Sequence, residues 1–173
     1  MTGSAAVTGV RVAQATGPTG MVCTNGPAFN LKATSGYIST PDGNSVFMWS
    51  YAKNPGSFQV PGPVLCVNEG DTVTITLTNN LPDPPGAALP ENTSIIFPGQ
   101  TGVTTSGGVP GLITAEATPG GGTVTYSFVA SEPGTYLYES GTNPHKQVHM
   151  GLYGALVVRP AMGPNYAYND AAT

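Results

Sequence analysis

Apolar and polar positions alternate along this chain in short runs with a period of two. In Asp71–Leu81, Val73, Ile75 and Leu77 fall on one side, and Thr72, Thr74, Thr76 and Thr78 on the other. A two-residue repeat rich in β-branched side chains predicts a strand with one buried face and one wet face. Thr123–Phe128 repeats the pattern through Val124, Tyr126 and Phe128. Further strands are expected at Phe29–Ser35 and the Gly36–Ser39 stretch after it, and at Ser45–Tyr51, Pro63–Val67, Thr93–Phe97, Gly134–Tyr138 and Leu152–Val158. Ser45–Tyr51 sets Val46 and Met48 against Phe47, Trp49 and Tyr51, so both of its faces are bulky, as in a strand covered on two sides.

Turn formers separate these runs. Asp42-Gly43 between apolar segments is a hairpin signal, because Gly tolerates the positive φ of a tight turn. Leu81–Glu91 holds four prolines and is expected to be a loop; Gln100–Gly111 is rich in Gly and Thr and is expected to be mobile. With 24 Gly and 17 Pro in 173 residues, no stretch free of both exceeds 11 residues. Ordinary helices need about that length, so a helical bundle is excluded, and no helical pattern is evident. No apolar run approaches the ~20 residues of a membrane-spanning helix. The expected fold is all-β: a two-sheet Greek-key β-sandwich. Residues 1–22 read as a flexible leader, 23–160 as the folded domain, and 161–173 as a polar tail or the start of a linker.

Charge narrows the function. Five Lys or Arg against nine Asp or Glu give a net charge of −4, which offers no basic patch for nucleic acid. Met1-Thr-Gly-Ser-Ala-Ala lacks the basic and apolar regions of a signal peptide. Sparse charge and abundant Thr and Gly suit an extracellular or periplasmic protein whose signal has been removed. Two cysteines, Cys23 and Cys66, leave three readings open: a disulfide, two buried thiols or two metal ligands. Phe47, Trp49, Tyr51, Tyr126, Phe128, Tyr136 and Tyr138 on the predicted strands are expected in the core, whereas Tyr166 and Tyr168 in the tail are available to a neighbouring domain. Asn92-Thr-Ser94 fits a glycosylation acceptor. With two histidines, and neither near a Gly-x-Ser-x-Gly elbow, a Ser/His/Asp triad has no support; Gly120-Gly-Gly122 lacks the Lys of a phosphate loop.

Three segments carry a family resemblance. Phe58–Asn79 contains Pro61-Gly-Pro63 and then Glu69-Gly-Asp71 before an alternating strand, and Gly134–Tyr138 and Met150–Val158 follow in order. This arrangement resembles the first cupredoxin domain of multicopper oxidases over about residues 28–160. The resemblance implies a cupredoxin-like sandwich in a longer protein that oxidises phenols, metal ions or similar reductants and reduces dioxygen. Copper is the implied cofactor, and downstream cupredoxin domains are the implied partners.

The copper ligands themselves do not match. Typical members carry one His-x-His pair where this chain has Ile96 and Pro98, and a second where it has Glu139 and Gly141. The chain resembles the subgroup that has lost these first-domain histidines, so no copper is expected to be tightly bound to it. A blue-copper site needs a thiolate and two imidazoles, commonly with an axial Met. His145 and Met150 have a His-x4-Met spacing, with His149 adjacent and Glu139 upstream, but no thiolate is near them in sequence. These four residues are the weak metal candidate; the alternative is a solvent-facing loop carrying exposed histidines. Three functions follow from the residues: a structural domain of a larger oxidase that is inactive alone, a secreted scaffold that associates with copies of itself, and a weak copper-binding module.

Overall fold

A computed structural model describes residues 22–81, 91–163 and 165–170. The expected leader, apart from Val22, and nearly all of the proline-rich loop lie outside the described residues. The strands are β1 (Thr24–Asn25), β2 (Ala28–Ser39), β3 (Ser45–Lys53), β4 (Leu65–Asn68), β5 (Thr72–Asn79), β6 (Thr104–Gly107), β7 (Thr123–Val129), β8 (Gly134–Glu139) and β9 (Tyr153–Arg159). One short helix, α1 (Pro144–Met150), precedes β9.

The strands form two sheets, ordered β1-β4-β9-β8 and β3-β2-β5-β7-β6. The chain passes repeatedly from one sheet to the other, as in β4 to β5 and β7 to β8, which gives the expected Greek-key sandwich. The two-residue repeat governs the core. Val73, Ile75 and Leu77 of β5 face Val124, Tyr126 and Phe128 of β7 in register, and all are buried. Burying side chains of this size stabilises the fold by about 1.5–3 kcal/mol each. Leu156 and Val158 of β9 and Leu65 and Val67 of β4 line the core from the opposite sheet.

Several elements differ from the pattern-based expectation. The two segments expected across Phe29–Ser39 are one strand, because Gly36 continues the pairing with β3 opposite Met48. The Gln100–Gly111 stretch contains β6, an exposed edge strand paired with β7. Its Gly and Thr hide the signal because no side chain of β6 is buried, so no alternation is selected there. Thr93–Phe97 makes only isolated bridges, Thr93 with Ala117 and Ile96 with Glu139. Helix α1 was missed although its ends are written in the chain: Asn143 caps it, Pro144 opens it, and Gly151 closes it with φ 115°. At seven residues it is too short to show a hydrophobic period.

Cys23 and Cys66 are joined in a disulfide with Cα atoms 5.6 Å apart. It ties the β1 end of the chain to β4, beside their parallel pairing of Asn25 with Cys66. The tail beyond β9 is also anchored: the Glu69 carboxylate accepts from the Ala161 backbone N–H and from Asn169. Asn169 first, then Ala161, holds the Glu69 pKa below its usual value.

Three buried phenols bind the sheets to the irregular segments. Tyr51 donates to the Ser94 carbonyl at 2.7 Å, Tyr138 to the Pro63 carbonyl at 2.7 Å, and Tyr126 to the Ala115 carbonyl at 2.8 Å. Burial raises the pKa of each. A raised native pKa means that the stabilisation is complete below the unfolded tyrosine value, about 10, and declines as pH rises beyond it. Three phenols neutral in the native state and ionised in the unfolded state give a slope of about 4 kcal/mol per pH unit. Urea midpoints are therefore expected to fall steeply above about pH 10, with Tyr126→Phe lessening the slope by one phenol's share. A midpoint independent of pH in that range would contradict the assignment.

Candidate functional site

The segment 93–97 crosses one end of the sandwich between the two sheets. On one side Thr93 exchanges backbone hydrogen bonds with Ala117; on the other Ile96 exchanges them with Glu139, at 2.8 and 3.1 Å. Tyr126 completes the fixing, since its hydroxyl oxygen accepts from the Ile95 N–H at 3.0 Å. Ser94, Ile95 and Phe97 are thereby buried, Ile96 is half-buried, and Pro98 is exposed. Phe97 packs on Phe128 with ring centres 4.9 Å apart.

Three of the four positions where the resemblance places imidazoles, Ile96, Glu139 and Gly141, meet at this seam, while Pro98 is exposed. Ile96 and Glu139 are bridge partners. Gly141 is buried beside them, and a Cβ built on it would lie 2.6 Å from Cγ2 of Ile96 and 3.3 Å from Oγ of Ser94. The Ile96 methyl thus occupies the space into which a side chain at 141 would project. Ile, Pro and Gly carry no donor atoms, and the Glu139 carboxylate is the one ligand type among the four. Among the described residues no group of three or more His, Cys, Asp or Glu side chains converges as a metal site. Both sulfurs of the cysteines are taken up in the disulfide. The residues at this seam do not fit a copper ion.

Next to the seam lies a buried polar cluster that the alternation pattern did not reveal. Gln147 of α1 is fully buried, and its Oε1 accepts from Thr93 at 3.0 Å and from Ser140 at 2.6 Å. Its Nε2 donates to the Asn92 carbonyl at 2.9 Å and to Glu91 at 3.3 Å. One carboxamide therefore joins the 91–93 segment, the end of β8 and α1. Ser94 and Thr142 share a further hydroxyl contact at 2.9 Å. Lys146 forms an ion pair with Glu91 and lies 5.1 Å above the Trp49 ring. The available signal was the helix: between an Asn-Pro start and a Gly stop, Gln147 falls three residues before Met150, on the same face.

The four metal candidates separate. His145 and His149 are exposed on α1 with ring centres 5.7 Å apart. Met150 packs against the hydrophobic core. At 100° per residue, five positions place Met150 about 140° round the helix from His145, so a His-x4-Met spacing divides between two faces. Glu139 sits on β8 at the seam with Ile96. Among the described residues, no hydrogen bond or ion pair joins it to the histidines.

The two-sheet cupredoxin-like sandwich defines the class, and comparison with known proteins gives the family. The multicopper oxidase family model matches residues 40–163, and the chain belongs to that family. It is 36% identical over 105 residues to the copper-containing nitrite reductase of Neisseria meningitidis serogroup A, covering 60% of this chain and 24% of that protein. To multicopper oxidase MCE of Talaromyces pinophilus it is 40% identical over 106 residues, covering 59% of this chain and 15% of that protein. The crystal structure of Lac15 from a marine microbial metagenome superposes with a TM-score of 0.59 at 26% identity, covering 79% of this chain and 33% of the other. The chain thus spans a third or less of the length of these relatives. Among the described residues no helix is long and apolar enough to cross a membrane.

The polar cluster gives a stability test. Gln147→Leu keeps the volume but leaves the Thr93 and Ser140 hydroxyls and the Asn92 carbonyl without their partner. A loss of about 2–4 kcal/mol is expected in urea unfolding. Met150→Leu, a volume-conserving change at a core contact, should cost less than about 1.5 kcal/mol. Equal effects of the two substitutions would show that Gln147 acts by packing alone.

Proposed function

We propose that this domain is a structural unit of a larger copper-dependent oxidoreductase of the multicopper oxidase family and supplies no ligands to a buried copper centre at its seam. The observation that carries this reading is the closed seam: Ile96 Cγ2 fills the space above Gly141, where a coordinating side chain would have to enter. A second observation supports it. The hydroxyls and carboxamide beside the seam already satisfy one another, so no buried donor set waits for an ion. Copper and electron transfer then belong to other parts of the longer protein, in keeping with the small share of each relative that the chain spans. Those relatives include a copper-containing nitrite reductase and a multicopper oxidase.

The disulfide favours an oxidising compartment, extracellular or periplasmic. Its loop of 43 residues is worth about 4 kcal/mol in the chain-entropy model. A domain that is only structural has to hold its shape without a metal, and this crosslink contributes to that.

The test is copper retention by the 173-residue chain. After loading with copper(II) and passage over a chelating resin, the His145→Ala, His149→Ala double variant is expected to keep far less than one copper per chain. It should show no intense thiolate-to-copper colour and no oxidation of a phenol or of ferrous iron. Stoichiometric copper that resists the resin in this variant would overturn the structural role.

A further inference from the structure

His145 and His149 stand four residues apart on α1, a spacing that places two side chains one turn apart on the same face. Their rings meet edge to face at 63°, with centres 5.7 Å apart, and both are exposed. The Nδ1 atom of His149 lies 2.6 Å from the His145 backbone carbonyl oxygen. A carbonyl oxygen can only accept, so Nδ1 carries the proton and Nε2 keeps its lone pair. Metal-ligating histidines are oriented in this same way, with one ring N–H given to a carbonyl and the other nitrogen left to the ion.

We propose that His145 and His149 form a reversible surface site for one divalent transition-metal ion, copper(II) foremost, with water completing the coordination. Two imidazoles bound to one ion at about 2.0–2.1 Å have ring centres roughly 4.5–6 Å apart, according to the angle at the metal. The observed separation lies inside that span. Because both rings are in water, the ion gives up little hydration on entering. The neighbouring cation, Lys146, is held by Glu91 and lies over Trp49, so its charge is partly compensated.

The donor set also sets the selectivity. Met150 belongs to the core, so no thioether is offered and the soft ion copper(I) is not favoured. Two nitrogens and water suit copper(II) over zinc(II), and zinc(II) over manganese(II). Magnesium and calcium prefer oxygen ligands and should not compete. This site does not rest on the structural role proposed above, which concerns Ile96, Glu139 and Gly141 rather than the surface of α1.

The test is titration of metal-free chain with copper(II) alone at neutral pH in a non-coordinating buffer, followed by calorimetry and electron paramagnetic resonance. One ion per chain is expected, with hyperfine structure from two nitrogens. His145→Ala and His149→Ala should each weaken binding by about a hundredfold, the contribution of an intramolecular second ligand, while the melting temperature is unchanged. Zinc(II) should bind at the same place more weakly. Copper binding as tight in the double variant as in the parent chain, a one-nitrogen signal in the parent chain, or no binding there would overturn the site. Resin-resistant copper in the double variant would instead count against the structural role.

Discussion

An irregular segment buried between two sheets must find partners for its backbone polar groups, and the rest of this structure is arranged around that need. Residues 93–97 do not join a regular ladder: Thr93 bridges to Ala117, which lies outside the strands, and Ile96 to Glu139 of β8. Their partners are collected one at a time: Ala117 for Thr93, the Tyr51 hydroxyl for the Ser94 carbonyl, the Tyr126 hydroxyl for the Ile95 N–H, and Glu139 for Ile96. A buried backbone group left without a partner costs as much as a lost hydrogen bond, so each of these contacts constrains the element that supplies it. Tyr126 is the clearest case, since its single hydroxyl donates to Ala115 and accepts from Ile95.

The same constraint explains why a glutamine lies inside the protein. Gln147 offers two donors and a strong acceptor on one short side chain, and four polar groups from the 91–93 segment and the end of β8 converge on it. The helix that presents it is capped at both ends and rests on β3, with a Cβ at Gly151 excluded by the Trp49 carbonyl 2.3 Å away. A polar cluster satisfied in this way specifies one arrangement of three elements, whereas an apolar contact would accept several.

Much of the sandwich was legible in the chain. The Val73-Ile75-Leu77 and Val124-Tyr126-Phe128 repeats place their strands because one face of each is buried and the other wet. The two-sided burial expected of β3 holds only in its second half, where Trp49, Ser50, Tyr51 and Ala52 are buried; bulky Val46 is exposed and Met48 half-buried, and small Ser50 and Ala52 fill that face instead. Where burial does not alternate, the sequence is silent. β6 is exposed throughout, and residues 93–97 are held by side chains distant in sequence. The candidate site was harder to read for a related reason. The spacing of His145, His149 and Met150 suggests one cluster, but only the rotation of a helix shows that two of them share a face and the third does not. Gln147 passed unnoticed because a buried polar residue has no periodic signature of its own.

The contact between Ile96 and Gly141 makes two distant positions in the chain interdependent. A larger residue at 141 is admissible only after the side chain at 96 has become smaller, and shrinking 96 first opens a void against its neighbours. A substitution that places a bulky residue at 141 is therefore best tolerated when the side chain at 96 is made smaller with it.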